Sequence, residues 1–174
     1  MSIDEIKAAI RDVPDFPKKG ILFRDITPLL QDPVLFAETI DILADKYKDN
    51  LPNKIVGVES RGFLFGAAMA YKLGVGFATV RKKGKLPYKT YEASYELEYG
   101  TATVEIHHDG LEVGDKVVIV DDLLATGGTA MAAIELVKKF DAEVIGVDFV
   151  IELESLNGRK ILENYKVNTI LQYD

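Results

Sequence analysis

The chain has 174 residues, 48% of them hydrophobic and 28% charged, which suits one globular domain with a core of its own. Its net charge of −7 argues against a nucleic-acid or anionic-membrane partner, since both favour basic surfaces. It has no cysteine, so disulfides, thiol catalysis and cysteine-bound zinc are excluded. The charged start is unlike a signal peptide, and the most apolar stretch, residues 62–71, is about half a membrane span. We therefore expect a cytoplasmic protein.

The N-terminal part of the chain predicts two helices around an irregular segment. The first helix is expected to run from a capping box at Ser2 to Val13, where two prolines end it. Residues 16–30 are expected to be irregular. A second helix is predicted from Asp32, its N-cap, to about Lys48.

From residue 54 onward, predicted strands and helices alternate, with a polar loop at 81–92. The strands are predicted at 55–58, 76–80, 95–99, 101–107, 117–120, 144–151 and 167–173, and the helices at 63–73, 129–140 and 156–164. This order predicts an α/β fold in which helices cover both faces of a mainly parallel sheet of about five strands. Ligands of such sheets bind beyond the carboxyl ends of the strands.

Residues 117–129, VVIVDDLLATGGT, combine a buried strand, two adjacent acids, a glycine-bearing turn and a helix start. Backbone N–H groups of such a turn, with the partial positive charge of the helix start, form a phosphate-binding site. Gly127 and Gly128 let the backbone approach a ligand, and Asp121 and Asp122 can accept hydrogen bonds from ribose hydroxyls. An ordinary glycine turn with a helix cap would not account for both acids at this distance. The pattern is neither a Walker loop nor the dinucleotide-binding glycine motif.

Two further segments offer cations to a phosphorylated ligand. Arg61 stands at a predicted helix start in Glu59-Ser60-Arg61-Gly62, where an arginine can hold a phosphate by two hydrogen bonds. The predicted polar loop carries five basic residues: Arg81, Lys82, Lys83, Lys85 and Lys89. Taken alone, these patterns equally suit a helix cap and a solvated charge run. Beside the phosphate turn, a basic loop that closes and excludes water is the favoured interpretation.

At these residues the chain resembles the type I phosphoribosyltransferases. Residues 117–129 resemble the family's motif for phosphoribosyl pyrophosphate (PRPP). Four more segments resemble the branch that uses adenine, in the family's order: residues 20–30 (GILFRDITPLL), 59–66 (ESRGFLFG), 81–87 (RKKGKLP) and 96–100 (ELEYG). The resemblance runs from about residue 16 to the C-terminus.

The resemblance implies an enzyme of purine salvage that joins adenine to the phosphoribosyl group of PRPP and releases AMP and pyrophosphate. It implies one domain, residues 1–174, in which a small hood of about residues 1–30 and residues near 152–157 covers the α/β core. It also implies a homodimer and a Mg²⁺ ion held mainly by substrate and water, near Asp121 and Asp122.

The resemblance also implies the roles of individual residues. Those for PRPP are Glu59, Ser60, Arg61, Arg81, Lys82, Lys85, Asp121, Asp122, Ala125, Thr126, Gly127, Gly128 and Thr129. Adenine is expected to lie between the apolar side chains of Phe23 and Leu153, with its edge on the backbone of Leu22 and Arg24.

Three residues are implied to be catalytic: Glu98, which handles the purine's proton, with Arg61 and Lys85. By its strand position alone, Glu98 is one acid among 28. The resemblance further implies that Arg81 reaches the site of the neighbouring subunit, and that the Glu59–Ser60 peptide bond is cis.

Two other functions stay open from the sequence. The first is a PRPP-binding regulator without catalysis, which would need a nucleic-acid-binding surface or an extra domain. The second is a phosphoribosyltransferase for xanthine or guanine. The segment GILFRD favours adenine by resemblance, and an assay with each purine distinguishes them.

Overall fold

The structure is a computed structural model that describes residues 2–97 and 100–174. Its elements, in chain order, are α1 (Ile3–Ala8), β1 (Arg11–Pro14), β2 (Leu22–Asp25), α2 (Thr27–Gln31), α3 (Pro33–Asp45), β3 (Lys54–Val58), α4 (Gly62–Leu73), β4 (Gly76–Lys82), β5 (Thr90–Glu96), β6 (Thr101–His107), β7 (Lys116–Leu124), α5 (Gly128–Lys138), β8 (Glu143–Leu153), a 3₁₀ turn (Glu154–Leu156), α6 (Gly158–Ile161) and β9 (Val167–Tyr173). Among the residues described, no helix is both long enough and apolar enough to cross a membrane.

Seven strands form the main sheet, in the order β5-β6-β4-β3-β7-β8-β9. Five of them pair with their neighbours in parallel: β4, β3, β7, β8 and β9. Strand β6 pairs antiparallel with β4 and with β5. Strands β5 and β6 therefore extend the parallel part of the sheet at one edge. The predicted α/β fold with a mainly parallel sheet is therefore confirmed.

Strand β7 lies inside this sheet, and its side chains reach the cores on both faces. Val117 and Ile119 belong to the core that α5 covers, whereas Val118 and Val120 belong to the core formed with α1, α3 and α4. All four side chains are fully buried. This explains why the strand is a continuous apolar run, because successive residues of a strand face opposite sides.

The N-terminal segment differs from the prediction. Helix α1 ends at Ala8, and β1 and β2 form a separate antiparallel pair where the rest of a helix and an irregular segment were expected. Ion pairs between the strands, Arg11–Asp25 and Arg24–Asp12, join residues distant in sequence. These contacts override the local helical spacing, which was the signal used for the prediction.

Two later boundaries also differ. Strand β4 continues to Lys82 and β5 begins at Thr90, so the predicted 81–92 loop is shorter and the strand predicted at 95–99 begins earlier. In β5 the alternating residues Tyr91, Ala93 and Tyr95 pack on the core below α5. The helix predicted at 156–164 is a 3₁₀ turn followed by the short α6, and Asn157, with a φ of 55°, separates them.

Candidate active site

A cavity of about 400 Å³ opens at the carboxyl ends of β3, β4 and β7, where parallel strands bind ligands. Its walls are formed by Glu59, Ser60, Arg61, Lys82, Tyr95, Asp121, Asp122, Leu123, Ala125 and Thr129. Eight of these ten residues belong to the set that the sequence predicted for PRPP. The structure thus brings together segments more than 60 positions apart in sequence.

The two adjacent acids lie on β7 itself, because the strand extends to Leu124 instead of ending at Val120. The Asp122 carboxylate is buried, and its Oδ2 lies 2.6 Å from Nε of Arg61. Asp121 Oδ1 accepts a hydrogen bond from the Asp122 N–H at 2.8 Å. Burial, together with the neighbouring Asp122 carboxylate, raises the pKa of Asp121 well above its ordinary value. Asp121 is thus a carboxyl group whose ionised form a cationic ligand would stabilise.

The turn from Ala125 to Gly127 connects β7 to α5, and a smaller concavity of about 60 Å³ lies inside it. This concavity is lined by Thr126, Gly127, Gly128 and Thr129 among others. Gly127 is the N-cap of α5 and has a φ of 85°, which favours glycine. The first N–H groups of a helix have no partner within the helix, so they are free to bind an anion there. The sequence predicted a turn here, and the structure has it at 125–127 with α5 beginning at Gly128; its binding of phosphate stays a prediction.

The opposite wall of the cavity is the turn between β3 and α4. The Glu59–Ser60 peptide bond is cis, as the resemblance implied. Gly62 begins α4 in close contact with β7, since a Cβ there would lie 2.7 Å from the carbonyl oxygen of Val120. This close packing brings Arg61 to the acids of β7.

Glu59 binds the last two residues of β4, which are the first two of the predicted basic loop. Its carboxylate accepts hydrogen bonds from Nε and a terminal nitrogen of Arg81, at 3.2 and 3.1 Å, and from the Lys82 N–H at 2.9 Å. Burial alone would raise the pKa of Glu59, but these hydrogen bonds and the nearby charge of Lys85 outweigh it, and the pKa lies below its ordinary value. Arg81 also donates to the carbonyl of Lys85 at 3.3 Å.

Phe23, on β2, and Arg61 connect the hairpin to the cavity. The Phe23 ring centroid lies 5.2 Å from the Arg61 guanidinium carbon, and Phe16 packs edge-on against the same ring. Arg24 lies over the Tyr173 ring, 4.0 Å from its centroid. In this way the hairpin that carries Leu22, Phe23 and Arg24 is attached to the last strand of the sheet.

Leu153 ends β8 and is paired with Tyr173 of β9. Glu98, the predicted proton-handling residue, lies outside the described residues. Tyr95 is a cavity residue that the sequence prediction missed. The alternation of Tyr91, Ala93 and Tyr95 was the signal available for it, and it was obscured because 81–92 was interpreted as loop.

Comparisons with known proteins agree with this geometry. A family model described as phosphoribosyl transferase domain matches residues 25–171. A curated adenine phosphoribosyltransferase of Carboxydothermus hydrogenoformans is 56% identical over 169 residues, 97% of this chain and 99% of the relative. That of Francisella philomiragia subsp. philomiragia is 55% identical over 175 residues, with 99% and 100% covered.

Solved structures give the same result. The adenine phosphoribosyltransferase of Thermoanaerobacter pseudethanolicus has a TM-score of 0.96 at 50% identity, over 99% of this chain and 100% of that chain. The Saccharomyces cerevisiae enzyme, solved with an imino-altritol bisphosphate and adenine, has a TM-score of 0.92 at 45% identity, with 97% of each chain covered. The chain therefore belongs to the phosphoribosyltransferase family and, within it, to the adenine phosphoribosyltransferases.

Proposed function

We infer that the chain transfers the phosphoribosyl group of PRPP to adenine, forming AMP and pyrophosphate in purine salvage. The observation that carries this conclusion is that a glycine-bearing turn, an arginine and two strand-borne carboxylates meet in one cavity. The relatives named adenine phosphoribosyltransferase support the same reaction.

The direct test is to incubate the purified chain with adenine, PRPP and Mg²⁺ and to quantify AMP and pyrophosphate. One AMP per pyrophosphate is expected, and none when PRPP is left out. Failure to form AMP under these conditions would contradict the proposed reaction. Pyrophosphate release without a matching amount of AMP would indicate hydrolysis of PRPP instead.

PRPP is proposed to lie across the cavity with its two charged ends on opposite walls. The 5′-phosphate would take N–H and hydroxyl donors of the turn and α5: Ala125, Thr126, Gly127, Gly128 and Thr129. The ribose hydroxyls would donate to Asp121 and Asp122, and the pyrophosphate would lie at Glu59–Arg61 with Lys82 and Lys85 near it. The positive end of α5 supports this orientation.

We propose that a Mg²⁺ ion binds near Asp121 and Asp122. Asp121, whose pKa is raised by burial, offers an oxygen whose charge a cation would stabilise. Bound there, Mg²⁺ would supply positive charge to the pyrophosphate oxygens, with substrate and water as most of its ligands.

The reaction exchanges one bond at the anomeric carbon for another. The bond from C1′ to the pyrophosphate oxygen breaks, the bond from C1′ to N9 of adenine forms, and a proton leaves the imidazole ring at N7. The sugar passes through a cation-like state, so positioning and electrostatics contribute more than a strong nucleophile. Arg61 and Lys85 would stabilise the negative charge that grows on pyrophosphate, and a dry cavity would protect the sugar from water.

Glu98 is proposed to handle the proton. Glu98→Gln keeps the size of the side chain but removes its acid–base function, so kcat is expected to fall by about 10²-fold. Steady-state kinetics measures kcat, and calorimetric titration measures the affinity for PRPP, which should stay within a few-fold of wild type. Glu96→Gln, two residues earlier, is the matched control. If Glu98→Gln retains turnover within a few-fold of wild type, the proton is handled elsewhere.

We also propose the two-part hood and the homodimer. The β1–β2 hairpin, with Leu22, Phe23 and Arg24, and the end of β8, with Leu153, would enclose adenine between them. Helix α4 begins at the cavity and carries exposed apolar side chains, among them Leu64 and Tyr71, which suits a subunit interface.

If the chain is a dimer through α4, mutations on this helix should separate its subunits and halve the mass of the particle in solution. Leu64→Asp combined with Tyr71→Asp should convert the chain from a dimer to a 19.3 kDa monomer in sedimentation equilibrium, because each charge would have to be buried at the interface. Val113→Asp, which changes another exposed apolar residue in the loop before β7, is the control and should leave the dimer intact. A wild-type chain that sediments as a monomer would contradict the proposal.

A further inference from the structure

The turn at residues 125–127, the proposed phosphate turn, lies in direct contact with the backbone of α6. A Cβ on Gly158 would overlap the carbonyl oxygen of Ala125 and would lie 2.9 Å from Cδ1 of Leu124. In the other direction, a Cβ on Gly127 would lie 2.7 Å from the carbonyl oxygen of Gly158 and 2.9 Å from Cγ1 of Ile161. The turn and α6 therefore fit together this closely only with a glycine on each side, so α6 cannot move toward the turn without displacing it.

Helix α6 has four residues, too few to be stable by itself. The Arg159 side chain connects it to the sheet. Arg159 donates from Nε and a terminal nitrogen to the two oxygens of Glu152, at 2.9 and 2.6 Å, and from its other nitrogen to the Val167 carbonyl at 3.0 Å. The terminal nitrogen that donates to Glu152 also lies 3.2 Å from Oγ1 of Thr169.

The acceptor of these bonds is itself fixed in place. Glu152 lies on β8 with 4% of its surface exposed, and its Oε2 also accepts from Thr169 at 3.0 Å and from Gln172 at 3.4 Å. A charged, two-point hydrogen bond to a buried carboxylate has a defined direction, which a lysine at the same position could not reproduce. Arg159 thus fixes α6 in position relative to β8 and β9.

The phosphate turn needs such external support. It ends in Gly127, and Gly128 begins α5 directly after it; glycine has the least restricted backbone of any residue, yet N–H groups bind a phosphate well only when held to within about 0.5 Å. We propose that Gly158 and the Arg159–Glu152 pair are positioning residues that hold the turn at 125–127 in the geometry that the 5′-phosphate of PRPP requires. This inference rests on the proposed function.

The test compares three variants with one control. Arg159→Ala removes the anchor, Arg159→Lys keeps only its charge, and Gly158→Ala pushes a methyl group against Ala125. Lys160→Ala, an exposed cation on the same short helix, is the control. Each chain is titrated with ribose 5-phosphate by calorimetry, and the KM values for PRPP and adenine are measured together with kcat and thermal unfolding.

Arg159→Ala and Gly158→Ala are expected to weaken ribose 5-phosphate binding and raise KM for PRPP by about tenfold or more, because misplaced N–H groups would lose charge-assisted hydrogen bonds to the phosphate. KM for adenine and kcat should stay within about twofold, with Arg159→Lys intermediate and Lys160→Ala unchanged. This split separates positioning from a general loss of stability, which would affect all constants together.

Two outcomes would overturn the inference: unchanged ribose 5-phosphate affinity in folded Arg159→Ala and Gly158→Ala, or parallel losses in both KM values and kcat. If these two variants fail to fold, Arg159→Lys decides between the same outcomes. A wild-type chain that binds neither ribose 5-phosphate nor PRPP would instead contradict the proposed function.

Discussion

Adenine is expected to exceed hypoxanthine, guanine and xanthine in kcat/KM by at least about 10³-fold. Adenine presents an amino donor at C6 beside the N1 acceptor, whereas the oxopurines present a carbonyl oxygen beside an N1–H. The groups proposed to bind this edge are the carbonyl of Leu22 and the N–H of Arg24. With an oxopurine, the Leu22 carbonyl would face another acceptor, O6, and the Arg24 N–H would face another donor, N1–H. Both contacts would be lost in the pocket that Phe23 and Leu153 are proposed to keep dry.

Strand β2 offers a backbone edge to a ligand. In the part of the chain that the structure describes, β2 has β1 as its one neighbour in a two-stranded sheet, so its other edge is not paired with a strand. Residues two apart on a strand direct their backbone groups to the same edge, so the carbonyl of Leu22 and the N–H of Arg24 can bind one ligand together.

The size of the preference follows from unpaired polar groups, each of which costs about 1–3 kcal/mol when buried. Sites that depend on such pairing discriminate by roughly 10⁴-fold. The measurement is kcat/KM for the four purines at one concentration of PRPP and Mg²⁺. Leu22→Ala is the internal control, because it changes a side chain but keeps the carbonyl, so the ratio should change only a few-fold. A lead below tenfold, or preference for an oxopurine, would overturn the choice of adenine but not the phosphoribosyl transfer.

The phosphate turn could be predicted from sequence because its signals are local. A run of apolar residues identified β7 as a strand buried on both faces, and the glycines that follow identified the turn. The extent of β7 could not be predicted in the same way. Asp121 and Leu124 are strand residues because β8 lies alongside and pairs with them, through Phe149 and Glu152, and this is a partner distant in sequence.

The regions that differ from prediction depend on long-range contacts. The β1–β2 hairpin has ion pairs that join residues at least 12 positions apart, whereas helical spacing was read within a few residues. Gly158 and Arg159 carried no recognisable signal, since their function depends on a contact with Ala125 and a hydrogen bond with Glu152 across the fold. Glu98 was identified by resemblance alone, and its role stays a prediction.

Arg61→Ala is expected to lower kcat/KM by about 10³-fold, the largest effect of a single substitution in this site. The Arg61 side chain is 39% exposed, forms an ion pair with Asp122 and lies 5.2 Å from the centroid of the Phe23 ring. It is therefore the cation in contact both with the acids proposed for the ribose and with the ring proposed for the purine. Without it, the charge that develops on pyrophosphate would lose a fixed donor of two hydrogen bonds.

Arg61→Ala could lower kcat/KM for a second reason, a less stable fold, and the experiment has to distinguish the two. Removing Arg61 also leaves the buried Asp122 carboxylate without its ion pair, which would destabilise the fold. Arg61→Lys restores a charge without the two-point geometry, so its kcat/KM should lie between those of wild type and Arg61→Ala. Lys72→Ala, on the same helix and paired with Asp41, removes a cation remote from the cavity and should leave kcat/KM within about twofold of wild type. Thermal unfolding of each variant identifies any loss due to instability. A folded Arg61→Ala chain with kcat/KM within tenfold of wild type would show that Arg61 is not the residue that stabilises the departing pyrophosphate.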